Sequence, residues 1–160
     1  MSKCIYERLS YPARNGGLEK ASIEWANADS KVLAFFKISE TRHDFVRLRY
    51  VKEDGLPAFY STDFLLRTDK AVYLVETKAQ GQVSSPNVQR KLKVAAWCDR
   101  INTLPVEDRS NLPWHYVLLG ENVFWEWRNK GERLAALCDF AKIRNTTLSA
   151  SQNRLESNPM

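Results

Sequence analysis

The sequence predicts an α/β domain with a central mixed four-stranded sheet flanked by helices. Three observations predict it. Two neighbouring runs, "AFYSTDFLLR" and "AVYLVETK", are apolar at odd and even positions alike, as in strands covered on both faces. Stripes of helical spacing stand before and after them. The order helix, three strands, helix, strand, helix places helices on both sides of one sheet. A length of 160 residues suits one domain with a substantial core.

The elements follow in chain order. In "GLEKASIEWANA", from Gly17 to about Ala28, Leu18, Ala21, Trp25 and Ala28 recur at steps of three, four and three, which is one face of a helix. Asn15 and two glycines precede it as an entry turn. Ser30 can cap a second short helix, "KVLAFFKI", although that run also reads as a buried strand. "HDFVRLRYV" alternates as a half-buried strand, and "KEDGLP" is a turn. The two apolar runs flank "TDK" as a hairpin. After the loop "AQGQVSSP", a helix spans about Asn87 to Thr103, and "WHYVLLG" is the fourth strand, stopped by Gly120. "ENVFWEWR" and "GERLAALCDFAKIR" close the domain as helices. Residues 1–147 read as one domain and 148–160 as a polar tail that frays.

Composition narrows the classes. Apolar residues make up 44% and charged residues 27%, the balance of a globular protein. No segment reaches the roughly 18 uninterrupted apolar residues of a membrane helix, and the first residues lack the apolar core of a secretory signal. The cysteines, Cys4, Cys98 and Cys138, are odd in number and far apart, which points to a reducing cytosol and a cytoplasmic location rather than a disulfide framework or a zinc site. The net charge of +5 permits a nucleic-acid partner.

The hairpin carries three charges where charge is expensive. An antiparallel pair keeps a constant sum of residue numbers, and a turn centred on Asp69 and Lys70 sets that sum at 139. Asp63 then lies opposite Glu76, about 5 Å away between Cβ atoms, and Lys78 returns to the same face two residues on. Two opposed carboxylates at a strand end need a cation or a shared proton between them. An oxygen-only set of Asp63, Glu76 and the Thr77 carbonyl suits Mg²⁺, with Mn²⁺ as a substitute. Such an ion activates water and neutralises charge in phosphodiester hydrolysis. Spacing alone says little, because a chain of this length holds about one [DE]-x-K by chance. This one holds two, the second being Asp29-Ser30-Lys31, which reads as a capping segment at a helix start.

These residues resemble the PD-(D/E)xK nuclease superfamily. "YSTDFLLRTDKAVYLVETKAQGQ", followed by "VQRKLKVAAWCDRINTL" and "WHYVLLGE", is most similar to the endonuclease domain at the end of type III restriction enzyme cleavage subunits. The resemblance implies a restriction-endonuclease-like core and Mg²⁺-dependent cleavage of DNA. In it Asp63 and Glu76 hold the metal, Lys78 serves the attacking water, and Glu19 on the first helix assists. Thr62 stands where the family usually has a proline before the aspartate. The sequence has no GxxxxGK[ST] motif, so ATP-driven translocation is not expected of this chain. A separate helicase or recognition protein is then an expected partner, and a dimer is compatible with cutting both strands.

The remaining candidates each have two readings. Lys91 lies on the apolar side of its helix and reaches either a phosphate or the edge of the core. Gln89 and Lys93 sit one turn apart as candidate nucleic-acid contacts or as solvated polar residues. Arg42, Arg47, Arg49, Lys52, Arg90, Lys91, Lys93 and Arg100 form either a phosphate-tracking face or ordinary solvated charge. Trp97 and Trp114 read as core, Trp125 and Trp127 as core or as a base-stacking surface, and His43 and His115 as structural. A catalytically silent nuclease-like module that binds DNA or protein is the alternative to the enzyme.

Overall fold

The computed structural model describes residues 2–7, 9, 17–39, 41–52, 54–79 and 88–143, with the backbone alone for 88–90. The expected tail, the entry turn at Asn15 and most of the "AQGQVSSP" loop lie outside the described residues. The first helix, α1, spans Gly17–Ala28 and buries Ala21, Ile23, Trp25 and Ala26. It is followed by β1 (Val32–Lys37), a 3₁₀ turn (Asp44–Val46), β2 (Leu48–Val51) and β3 (Pro57–Tyr60). Next come β4 (Phe64–Thr68), β5 (Val72–Lys78), α2 (Val88–Asn102) and β6 (Trp114–Gly120). The chain of elements ends with α3 (Glu121–Asn129), α4 (Leu134–Phe140) and β7 (Lys142–Ile143).

The main sheet runs β1-β4-β5-β6-β7, with β5 and β6 parallel and the other pairs antiparallel. Four strands carry it, and the two-residue β7 adds a short edge. The expected mixed sheet is present, but its membership differs. "KVLAFFKI" forms strand β1 rather than a helix, because its β-branched and aromatic residues bury Val32, Phe35 and Phe36 beside β4. "HDFVRLRYV" lies outside that sheet. Its first half coils as the 3₁₀ turn, and β2 pairs with β3 in a separate two-stranded ribbon. "AFYSTDFLLR" is broken between Tyr60 and Phe64, so one apolar run supplies a strand to each sheet.

The β4–β5 hairpin has the register the constant sum requires, from Phe64 opposite Val75 to Arg67 opposite Val72. Its turn is closed by the Thr68 hydroxyl, which accepts from the amides of Lys70 and Ala71, both at 3.1 Å. Val72 to Val75 are all buried, as both-face coverage demands. On one side Phe64, Leu66, Tyr73 and Val75 pack with α1, α3 and α4 residues. On the other, Leu74 and Tyr116 pack with Val94, Ala95 and Cys98 of α2 and with Tyr50 and Tyr60 of the ribbon.

The parallel β5–β6 pair requires a crossover, and α2 supplies it. Asn102, at the end of α2, clamps the start of β6: its amide donates to the Trp114 carbonyl at 2.8 Å and its carbonyl accepts from the Trp114 amide at 2.7 Å. Trp125 and Trp127 pack against the first core, so core packing rather than a free stacking surface is what they form. His43 accepts from the Ser39 amide at 2.8 Å and stacks on Tyr6, a structural role. All three cysteines are free. Among the described residues, no helix is long and apolar enough to cross a membrane.

Candidate active site

Asp63 stands just before β4, where the hairpin strands emerge at the end away from their turn. Its backbone ties three strands together: its amide donates to the Val75 carbonyl at 3.0 Å, and its carbonyl accepts from the Ile38 amide at 2.8 Å. The regular ladder ends at Phe64 opposite Val75, and the Asp63 amide turns to that same Val75 carbonyl, so Asp63 sits one step out of the register expected to set it directly opposite Glu76. Alternation along β5 then brings Lys78 back to Glu76, with its Nζ 2.7 Å from Oε1.

The Asp63 carboxylate is held through one oxygen. Oδ2 accepts from the Thr77 amide at 2.7 Å and from the Thr77 hydroxyl at 2.8 Å. A strand residue sends its N–H and C=O to the same edge, so the Thr77 carbonyl leaves β5 on the Asp63 side. Burial raises the Asp63 pKa to about 6; the two Thr77 bonds pull it down, and the charges of Glu19 and Glu76 push it further up.

Glu76 is 4% exposed, and both of its oxygens have protein donors. Lys78 holds Oε1, and the hydroxyl of the fully buried Tyr116 donates to Oε2. Tyr116 shares a face with Glu76 because Leu74 pairs with Tyr116 and Glu76 with Leu118 across β5 and β6. Burial, followed by the Glu76 charge, drives both the Tyr60 and Tyr116 phenols far above their ordinary range, so both stay protonated donors. On the opposite face of the sheet, Glu19 of α1 is ion-paired with Lys37 at the end of β1. Asp63 therefore lies between two lysine–glutamate pairs, one on each side of the sheet.

Comparison with protein-family models, curated proteins and solved structures returned no match. What the site can do therefore rests on its own chemistry. Among the described residues there is no group of three or more His, Cys, Asp or Glu side chains gathered as a metal cage. The donors at this strand end are two carboxylates and a carbonyl, an oxygen set of the kind a hard divalent cation takes with waters completing its shell. Among the described residues nothing donates to Asp63 Oδ1. The hydroxyls of Ser61 and Thr62, buried just before Asp63, have no hydrogen-bond partner among the described residues. Unpaired buried hydroxyls are costly, and a hydrated cation offers them partners. The donor set fits such an ion, with one condition: the cation and Lys78 compete for Oε1 of Glu76.

The structure brings together Asp63, Glu76, Thr77 and Lys78, with Glu19 within electrostatic reach of Asp63. It does not bring in the α2 candidates. Lys91 is half-buried and Lys93 exposed, and among the described residues neither contacts the carboxylates. The Gln89 side chain lies outside the described residues. The second triplet is structural, though not at a helix start: Asp29 accepts from the Lys31 amide in the turn before β1 and from the Ala135 amide of α4, both at 2.9 Å. Sequence reasoning missed Lys37, Tyr60 and Tyr116. A pairing partner for β5 was the missing signal for Tyr116, since parallel register cannot be counted across a crossover as a hairpin's can.

Proposed function

We propose that this chain is a metal-dependent DNA endonuclease, with a PD-(D/E)xK-type site like that of the type III restriction nuclease module. The observation that carries the reading is the meeting of Asp63, Glu76 and Lys78 at one strand end, with Asp63 tied to the residue between the other two. Asp63, Glu76 and the Thr77 carbonyl would hold Mg²⁺. When bound, the ion supplies charge neutralisation at the phosphate and a more acidic water. The chain's own groups do the rest. Lys78 orients the attacking water and donates to a phosphate oxygen, Tyr116 fixes the Glu76 carboxylate, and Lys37 restrains Glu19. The bond formed joins the water oxygen to phosphorus; the bond broken releases a sugar oxygen.

The test is a cleavage panel of single- and double-stranded DNA and RNA with and without Mg²⁺. Metal-dependent nicking of DNA that is lost in Glu76→Ala supports the assignment, and unchanged nicking by that variant removes it. One observation favours a second reading, a silent nuclease-like binding module: both Glu76 oxygens are already satisfied by protein donors. Calorimetric titration with Mg²⁺ and Mn²⁺ separates the two, because a silent module has no use for the ion.

A further inference from the structure

The β2–β3 ribbon presents a face that the proposed site does not use. Alternation turns Tyr50 and Tyr60 into the core and leaves Arg47, Arg49 and Phe59 in water. Phe59 is 58% exposed, an unusual setting for a ring in the middle of a strand pair. Arg49 lies directly opposite it in register, and the Arg47 guanidinium stacks over its ring at 4.4 Å from the centroid. Phe45, 62% exposed, stands just before Arg47.

We propose that this face grips single-stranded nucleic acid, with Phe59 stacking an unpaired base and Arg47 and Arg49 holding the flanking phosphates. This deepens the nuclease reading by naming the strandedness of its substrate, and it rests on that reading only for what is cut. An exposed aromatic ring with one guanidinium over it and a second arginine opposite it in the ribbon suits a base next to its phosphates, the combination that sequence-tolerant single-strand sites use. A duplex keeps base faces stacked away from such a ring. A second copy is a poor occupant, because a two-fold contact would set these arginines against their own images. Among the described residues Asp54 accepts from the Leu56 amide at 3.0 Å in the turn, and Asp44 makes only a long, exposed contact of 3.5 Å with Arg47, which a phosphate can displace.

Placement supports the same occupant. Strand β3 ends at Tyr60, only Ser61 and Thr62 separate it from Asp63, and the Tyr60 phenol feels the Glu76 charge from inside. Phe59 and Asp63 are four positions apart, at most about 14 Å of extended chain. A strand stacked on Phe59 therefore lies within a few nucleotides of the carboxylates.

Fluorescence anisotropy in EDTA measures the grip without cleavage, using a labelled oligothymidylate and a labelled duplex with the full chain. Phe59→Ala is expected to lose about tenfold in single-strand affinity and to leave duplex affinity within about twofold, while Phe59→Trp retains binding. Replacing Arg47 and Arg49 together with alanine should flatten the salt dependence by roughly 1.4 in log–log slope. Wild-type single-strand binding by Phe59→Ala overturns the proposal, and so do equal losses on both substrates. Loss of self-association in that variant by sedimentation, with DNA affinity unmoved, overturns it in favour of a protein contact. Cleavage by Asp63→Asn, measured with Mg²⁺, keeps the two readings apart. A chain that grips single strands and never cuts retains this surface and loses the nuclease. A chain that cuts through Asp63 yet ignores Phe59 does the reverse.

Discussion

Thr77 donates both its amide and its hydroxyl to a single oxygen of Asp63, at 2.7 and 2.8 Å. The two bonds tie the residue between Glu76 and Lys78 to the carboxylate across the hairpin, so the triplet and the aspartate form one unit. Hydrogen bonds to the charged form hold the Asp63 pKa down against its burial. Thr77→Val removes the hydroxyl bond and should raise that pKa by about one unit, the worth of one such bond. The acid limb of the cleavage–pH profile then moves up from about pH 6. Thr77→Ser keeps the donor and should restore the limb, whereas coincident profiles for valine and serine would show that Asp63 is not the group that titrates.

Asp63 itself costs the fold stability at neutral pH. Its pKa rises from 3.8 to about 6 on folding, so between those values the native state binds more protons than the unfolded chain. Stability tied to this group is therefore full below about pH 4 and is lost as pH rises through 6, a difference of about 3 kcal/mol. Asp63→Asn, whose carbonyl can still accept from Thr77, should be more stable than wild type at pH 7.5 and no more stable at pH 4. Urea melts at the two pH values check this. Equal stabilities at pH 7.5 would disprove the cost.

Tyr116 is fully buried with its hydroxyl on Glu76. Tyr116→Phe keeps the ring's packing and strands a carboxylate oxygen, at a cost of about 2 kcal/mol. If Glu76 holds the cation, the loss of its orienting donor should weaken Mg²⁺ binding by roughly 10–100-fold. Calorimetry that finds the same Mg²⁺ affinity in both proteins would reduce Tyr116 to a packing residue.

The hairpin that carries the candidate site was legible in the sequence because a hairpin is local, whereas the step out of register at Asp63 was not. A tight turn between two apolar runs fixes register by counting, and the pairing of Phe64 with Val75 follows. Strand β1 was ambiguous because "KVLAFFKI" is apolar at every position, and periodicity cannot separate a buried helix from a buried strand there. The ribbon was missed because a single apolar run divides between two sheets at Ser61 and Thr62, with no glycine or proline to mark the break. Tyr116 and Lys37 reach the site through pairings of distant segments, which spacing does not encode.

The two triplets of like spacing should separate cleanly on mutation. Asp29 caps α4 from a distance and closes its own turn, so Asp29→Ala should cost about 1–2 kcal/mol and leave cleavage per folded molecule unchanged. Cleavage lost in proportion beyond the folded fraction, judged by circular dichroism at the assay temperature, would make the Asp29 triplet part of the site.

Lys78 and a cation would compete for Oε1 of Glu76, and that competition yields the sharpest test. Lys78 removal takes the cation from a buried carboxylate and leaves it only neutral tyrosine donors, so without metal Lys78→Ala should lose about 3 kcal/mol of stability. A cation can take the vacated place. With saturating Mg²⁺ the variant should recover most of that loss, and its Mg²⁺ affinity should exceed that of wild type. If Lys78 orients the attacking water as proposed, cleavage should nevertheless fall by at least about 100-fold. Tighter metal binding with slower cutting is a combination that a purely structural lysine does not produce: losing a structural partner weakens the site throughout. Thermal melts with and without Mg²⁺, a calorimetric titration and single-turnover cleavage together decide it, and weaker Mg²⁺ binding in Lys78→Ala would refute the competition.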